Sequence, residues 1–298
     1  MAYHLPVLAE ESVKGLNINP EGIYVDATFG GGGHSKLILS ELNTGKLVGF
    51  DRDSDAEKNV LQDDRFVFIP QNYRFIENFL DYNNLIPVDG ILADLGVSSH
   101  QFDIPERGFS FRFDGPLDLR MDFNNGKTAA DIINTYEEKA LIHIFSLYGE
   151  IKNSRTLARQ IIKIRDKKKI DTTYEFVEAI DCIVSIKTRN KYLAQVFQAL
   201  RIEVNEELDS LKDFLIQSSK VLKTGGRLVV ISYHSLEDRL VKNFLRSGNF
   251  DGKLDKDFYG NINSPFTIIT RKPMVADDDE IEINGRARSA KLRIAEKN

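Results

Sequence analysis

The chain has 298 residues, 42% hydrophobic and 29% charged, with a formal net charge of −5. That length can bury a real core in one large domain or two modest ones, and the composition is that of a soluble globular protein. The acidic balance excludes a surface that binds nucleic acid indiscriminately. The longest apolar runs, such as the one ending at Ile231, are too short to cross a bilayer, so no membrane partner is expected. A single cysteine, Cys182, excludes an internal disulfide and a multi-cysteine metal site, and no metal is expected. Between Ile180 and Ile183 its thiol is expected to be buried. Met1 to Pro6 shows no basic region leading into an apolar stretch, so no secretory signal is expected and the cytoplasm is the expected location.

The first ninety-odd residues alternate short apolar runs with helical patterns. Ile23–Asp26 reads as a strand, followed by a glycine loop and a helix from about Ser35 to Leu42. Lys46–Asp51 is a second strand, with a helix beginning near Asp53; Phe66–Ile69 is a third and Val88–Asp94 a fourth. Strands and helices at this spacing predict a parallel sheet with right-handed crossovers. Val97 to Gly126 has no clear period and is too long for a simple connection, and Phe102, Phe109, Phe111 and Phe113 argue against disorder there. From about Thr128 to Ile202 the pattern is helical. Leu157, Ile161 and Ile164 form an apolar face, Arg155, Arg159 and Lys163 a basic stripe on another face, and Thr172 with Glu175 a capping box.

A long helix then closes at Lys223–Gly226, Arg227–Tyr233 is a strand, and Ser235 with Asp238 can cap the next helix. Phe266–Thr270 and Lys291–Ile294 can pair antiparallel, and the acidic run Asp277–Glu280 reads as a solvated loop. The fold class is therefore α/β: a doubly wound, Rossmann-like sheet formed by residues 1–105 and 206–298, interrupted by a helical insertion at residues 106–205.

Charge is uneven along the chain. Ile151 to Arg201 holds twelve Lys/Arg against five Asp/Glu, a local excess of +7 that leaves −12 for the remainder. This fits a directed contact with a polyanion and equally an ordinary solvated face. The stripe Arg155, Arg159, Lys163 and the run Lys167–Lys169 are the best candidates for phosphate contacts.

Thr28–His34, with four consecutive glycines, follows the first strand and opens a helix. Its backbone can approach a ligand closely, and the N–H groups of a helix start favour a carboxylate or phosphate. The run does not reproduce the spaced G-x-G-x-x-G dinucleotide pattern, and a tight turn that merely needs glycine is the competing reading. Asp51 ends the second strand, where a carboxylate can accept both hydroxyls of a ribose; a surface aspartate is the alternative, with Asp53 the better cap. Asp94 ends the fourth strand and reaches the crevice beyond the strand ends, unless it is a cap or a structural carboxylate.

Together these stretches resemble the bacterial small-subunit ribosomal RNA cytosine-N4 methyltransferase family, also called MraW. The matching segments run nearly end to end: His4–Leu8, Val25–Ser35, Asp51–Asp53, Asp94–Ser99 (DLGVSS), Glu106–Phe111, Asp114–Asp122 (DGPLDLRMD), Phe197–Ile202, Gly225–Arg239 ending in SYHSLEDR, and Gly285–Ser289. The resemblance implies a class I S-adenosylmethionine-dependent methyltransferase fold with an inserted helical domain, S-adenosyl-L-methionine as cofactor, and contacts to it at Gly32, Gly33, His34, Asp51, Tyr73, Asp94 and Gln101. At Tyr73 relatives often carry phenylalanine; tyrosine keeps the flat face needed beside adenine. The resemblance also implies the target, the exocyclic N4 amine of a cytosine in the decoding region of 16S ribosomal RNA, free or in the small ribosomal subunit. A homodimer is compatible with the chain, whose sequence does not set an oligomeric state.

Methyl transfer from a sulfonium is an in-line displacement, so alignment is the main task. Asp94 is the expected catalytic residue, positioning cofactor and amine. Related amino-methyltransferases follow this position with two prolines and an aromatic; Leu95-Gly96-Val97 stands here instead. Arg107, Phe109 and Arg112 have the composition to stack an extruded base and hold phosphates, although the phenylalanines could simply cover a core. His234, after the fifth strand, is the remaining candidate for substrate contact. A nicotinamide-dependent oxidoreductase would share the glycine loop and the acidic residue but not this glycine spacing. A non-catalytic RNA-binding module would not need the adenosine site.

Overall fold

The computed structural model describes residues 6–256, 258–260 and 263–298; His4 and Leu5 of the first motif lie outside them. The chain divides into two compact units, Met1–Gly96 with Leu208–Asn298, and Val97–Glu207.

In the first unit α1 (Ala9–Leu16) precedes β1 (Ile23–Asp26), and α2 (Gly33–Glu41), β2 (Lys46–Phe50), β3 (Phe66–Ile69), α3 (Ile76–Tyr82) and β4 (Val88–Asp94) follow. Between β2 and β3 the expected helix is only a 3₁₀ turn, Ser54–Asn59, whose start is capped by the Asp53 side chain accepting the Asp55 N–H at 3.0 Å. The second unit holds α4 (Ser99–Asp103), α5 (Ala129–Thr135), α6 (Glu138–Leu147), α7 (Ser154–Arg165), α8 (Thr173–Asp181) and α9 (Arg189–Asn205). The chain returns through α10 (Glu207–Val221), β5 (Leu222–Ser232), α11 (Ser235–Ser247), β6 (Phe266–Ile268), α12 (Asp278–Ile283) and β7 (Lys291–Lys297).

The seven strands form one sheet in the order β3-β2-β1-β4-β5-β7-β6. β1 to β5 are parallel, while β7 runs antiparallel to both β5 and β6. Both faces are covered, which is why these strands read as continuous apolar runs. On one face Val25, Ile91, Leu228 and Val230 pack with Ile76 and Leu80 of α3, Phe214 of α10 and Val241 of α11. On the other, Tyr24, Leu92, Val229 and Ile231 pack with Leu16 of α1 and Ile38 of α2. At about 1.5–3 kcal/mol for each large apolar side chain removed from water, these two layers hold the sheet. This is the class I, Rossmann-like methyltransferase architecture. Chain order reverses between β1 and β4, so the ligand crevice of such a sheet falls at their carboxyl ends.

The second unit packs around its own core. Leu157 and Ile161 of α7, Phe176 and Ile180 of α8 and Leu193 and Phe197 of α9 are all buried in it. α8 is capped as the sequence predicts: the Glu175 N–H donates to Thr172 Oγ1 at 3.2 Å, and Glu175 accepts the Thr172 N–H at 3.3 Å. The long loop from Val97 is fastened to this unit. Thr173 N–H donates to the Gly115 carbonyl and Leu117 N–H to the Asp171 carbonyl, both at 2.9 Å. Asn205 reaches it from α9, its Oδ1 accepting the Met121 N–H and its Nδ2 donating to the Leu119 carbonyl, both at 2.7 Å.

Several sequence expectations need correction. Cys182 is exposed, because it follows the last residue of α8, past the buried Ile180, and points away from the core. β5 starts at Leu222, directly after α10, not at Arg227. Its pairing with β4 shifts register between Val88 and Gly90, and Gly225, at φ 79°, takes up the turn there that glycines also provide at a helix end. The run Asp277–Glu280 is not a loop but opens α12, with Asp277 as cap, and Glu280 accepts the Leu8 N–H at 2.8 Å. α11 is capped by His234 and not by Ser235.

Candidate active site

β1 ends in Asp26, which is 1% exposed. Its carboxylate accepts the Thr28 N–H at 3.1 Å and the Ser35 hydroxyl at 2.6 Å, stapling the strand end to the first turn of α2; burial raises its pKa. Between them the glycine loop has two left-handed residues, Gly30 (φ 48°) and Gly32 (φ 72°). A Cβ on Gly32 would also sit 3.0 Å from the Phe29 ring, so packing demands glycine there. Gly31 differs, since a Cβ would meet nothing within 4 Å. The chain's own packing does not require glycine at that point, and the bare backbone there is open to close approach.

Asp51 follows β2 and faces this loop. One carboxylate oxygen accepts the Gly30 N–H at 2.7 Å and the other the Asp53 N–H at 2.8 Å. Each oxygen keeps a further lone pair. Burial pushes the carboxyl up to about 6, against the two N–H donors that favour its charged form.

Asp94 is held from three sides. Its N–H donates to Thr28 Oγ1 at 2.7 Å, tying the end of β4 to the loop after β1. Its Oδ1 accepts the Tyr233 hydroxyl at 2.7 Å, and its Oδ2 lies 3.9 Å from His34 Nδ1, beyond hydrogen-bond length. Burial pushes this carboxyl up to about 6 as well, with nearby His34 and the Tyr233 hydroxyl holding it down. The His34 ring, 5% exposed, lies with Nε2 3.1 Å from the Val7 carbonyl, which leaves Nδ1 toward Asp94.

The structure thus brings Gly32, Gly33, His34, Asp51 and Asp94 to the carboxyl edge of the sheet around its switch point. Tyr73 lies in a 3₁₀ turn after β3 on the same edge, half-buried, with its ring edge-on to Phe214 at 5.1 Å between centroids. Gln101 belongs to the second unit. It is 4% exposed on α4, where it forms a capping box with Ser98, its Oε1 accepting the Ser98 N–H at 3.1 Å. Sequence reasoning missed Tyr233 and Thr28. The signal for Tyr233 was its place one residue past β5, the strand beside β4.

Three proposed substrate contacts are otherwise employed. Arg107 is 5% exposed, and its guanidinium donates to the carbonyls of Arg120 (3.1 Å) and Met121 (3.0 Å), clasping its own loop. Phe109 is 3% exposed within the core of the helical unit, with no free face for a base. Phe109→Ala is expected to destabilise that unit by about 3–5 kcal/mol, as core phenylalanines do, read from denaturant unfolding; a shift below about 1 kcal/mol would return the ring to the substrate. His234 spends its Nδ1 on the α11 cap, accepting the Glu237 N–H at 3.4 Å, while buried Glu237 accepts the Tyr233 N–H at 3.0 Å. Arg112, Arg155, Arg159 and Lys163 are exposed. Arg159 pairs with Glu138 at 3.0 Å, an exposed contact worth about 0–1 kcal/mol that a phosphate could displace. Of Lys167–Lys169, Lys168 pairs with Glu175 at 2.5 Å and Lys169 with Asp171 at 2.8 Å, so this run is largely neutralised.

The sequence of the MraW methylase family matches residues 1–298. The chain belongs to that family. Its members are methylases, and this chain is accordingly an enzyme of the methyltransferase class. It is similar to the ribosomal RNA small subunit methyltransferase H of Bacteroides fragilis, 58% identical over 99% of this chain and 97% of that protein. The protein of the same name from Cytophaga hutchinsonii is 58% identical over 99% of each chain. That of Flavobacterium johnsoniae is 57% identical over 100% of this chain and 98% of its own. Among solved structures, an rRNA methylase from Streptococcus thermophilus aligns with 100% of this chain and 98% of its own, at 13% identity and a TM-score of 0.40. No helix among the described residues is long and apolar enough to cross a membrane.

Proposed function

We propose that the protein transfers a methyl group from S-adenosylmethionine to the exocyclic N4 amine of a cytosine in the decoding region of small-subunit ribosomal RNA. The observation that carries the reading is the pair of half-buried carboxylates, Asp51 and Asp94, at the carboxyl ends of β2 and β4 on either side of the glycine loop. The residues suit the cofactor. The first-turn N–H groups of α2 and the open backbone at Gly31 would take its carboxylate, Asp51 would take the ribose hydroxyls, and Tyr73 offers a flat face to adenine. Gln101 is a further contact by resemblance. The bound cofactor supplies an activated methyl on a sulfonium.

Asp94 does the orienting. Tyr233 occupies Oδ1, which leaves Oδ2 to accept a hydrogen bond from the cytosine amine and to turn the nitrogen lone pair toward the methyl. As the N4–methyl bond forms, the methyl–sulfur bond would break with its electron pair left on a neutral thioether, and the amine loses one proton, which Asp94 holds at Oδ2 before it passes to water. A carboxyl near pKa 6 is ionised at neutral pH and still basic enough for this task.

The helical unit is the substrate-recognition part, with Arg112 and the stripe Arg155, Arg159, Lys163 against phosphates. Reversing the three stripe charges is expected to flatten the salt dependence of RNA binding by about 2 in log–log slope, at roughly 0.7 per lost single-strand contact. An unchanged slope would assign the stripe to solvent. Ribosomal substrate places the protein in the cytoplasm. The decisive experiment is radiolabelled methyl transfer to small ribosomal subunits from a strain lacking the gene, followed by nucleoside analysis. Label in N4-methylated cytidine supports the reading; tight cofactor binding with no transfer to any RNA favours a binding module instead.

A further inference from the structure

Far from the carboxylates, the outer edge of the sheet carries a cavity of about 280 Å³ between α11 and the β6–β7 ladder. Its floor is apolar, from Leu245 and Ile294, and four cations line it: Lys242, Arg246, Arg271 and Arg293. Arg293 is neutralised by Asp238, whose carboxylate accepts its Nε–H at 2.7 Å and lies 3.5 Å from Lys291 Nζ. Lys242, Arg246 and Arg271 are exposed, and no acidic group among the described residues pairs with them. Cations on an edge strand commonly guard against stray pairing, but Lys242 and Arg246 project from a helix, where no such guard is needed.

We infer that this pocket binds a phosphodiester of the RNA substrate, one or more nucleotides away from the reacting base; the inference rests on the ribosomal RNA reading above. The cavity falls just below the range of about 300–1,000 Å³ that small-molecule sites occupy, too small for a second coenzyme but adequate for a backbone passing through. The direction fits too. Exposed Arg239 stands three residues before Lys242 on the same face of α11, and Arg246 four residues after it, a basic line spanning about 10 Å. That line begins at Arg239, in the first half of α11 and six positions after Tyr233, whose hydroxyl holds Asp94. A strand leaving the reaction end can therefore follow α11 into the pocket.

The test uses the full-length protein with Lys242, Arg246 and Arg271 all changed to Ala, substitutions of exposed residues that leave folding intact. Binding of naked small-subunit ribosomal RNA is measured across a salt series, and cofactor affinity by calorimetry. Expected are a weakening of RNA binding by roughly tenfold at low salt and a slope shallower by about 2, with cofactor affinity as in the wild type. RNA affinity and slope equal to those of the wild type overturn the inference, whether or not the protein methylates. Inorganic phosphate at matched ionic strength should displace RNA no better than chloride; specific displacement by phosphate, with RNA slope unchanged in the variant, would make the pocket a small-anion site and overturn the RNA assignment. Charge-dependent RNA binding by a wild-type protein that transfers no methyl would remove the catalytic reading and leave this pocket standing.

Discussion

Asp94→Asn is expected to lower kcat by about 10²–10⁴-fold, the usual contribution of a positioned acid–base group, while raising the thermal unfolding midpoint. The two effects share one cause. Burial pushes the Asp94 carboxyl from an ordinary 3.8 up to about 6, so the folded state holds its proton more tightly than the unfolded chain. The sign follows: the stability linked to this proton is fully present below pH 3.8 and is lost as pH rises through about 6. At neutral pH the ionised carboxylate is a burden, and an amide of the same shape relieves it by about 1–3 kcal/mol. For a protein of this size that is a few degrees. Turnover at saturating cofactor and RNA, together with calorimetric unfolding, checks both halves; wild-type turnover or a lowered midpoint would remove Asp94 from its role. In the wild type, kcat should fall as pH drops through about 6. Tyr233→Phe deletes a donor that holds the carboxyl down, so the acid limb should move to higher pH, a shift that a merely structural tyrosine would not produce.

Asp51→Ala should weaken binding of S-adenosylmethionine and its demethylated product by about 10²-fold or more. Two hydrogen bonds from ribose hydroxyls to a charged acceptor carry about 1.5–3 kcal/mol each, and 1.4 kcal/mol is a factor of ten. The loss includes a second part, because Asp51 also anchors the Gly30 N–H at 2.7 Å and the loop slackens without it. Asp51→Asn retains one acceptor oxygen and should fall between wild type and alanine. With its carboxyl also near 6, cofactor affinity should decline below that pH while kcat at saturation follows Asp94 alone. Calorimetry on folded variants measures this, and an unaltered Kd for Asp51→Ala would place the ribose elsewhere.

The first four strands were legible because each is a short apolar run, as buried parallel strands are, and β1, β2 and β4 are each closed by an acid. The Thr172–Glu175 cap was legible because both partners lie within four residues. What failed were features set by distant partners. Nothing near Gly225-Gly226 reveals that β5 has already begun at Leu222, since the irregularity is set by pairing with Val88 and Gly90. Phe109 and Arg107 have the composition of a base-stacking loop, and only the fold shows the ring in a core and the guanidinium on the carbonyls of Arg120 and Met121. Asp51 and Asp94 could be placed from strand ends alone. Their elevated pKa values could not, because burial comes from helices elsewhere in the chain.

The helical unit sits in sequence between two strands that are immediate neighbours, and the Tyr233–Asp94 contact joins positions 139 apart. A nascent chain leaving the ribosome completes α4 to α9 from local contacts long before β5 exists to cover the exposed flank of β4. Synthesis therefore yields a folded insertion hanging from an unfinished sheet, and catalytic competence arrives only with the last seventy residues or so, at the slow pace of long-range strand pairing.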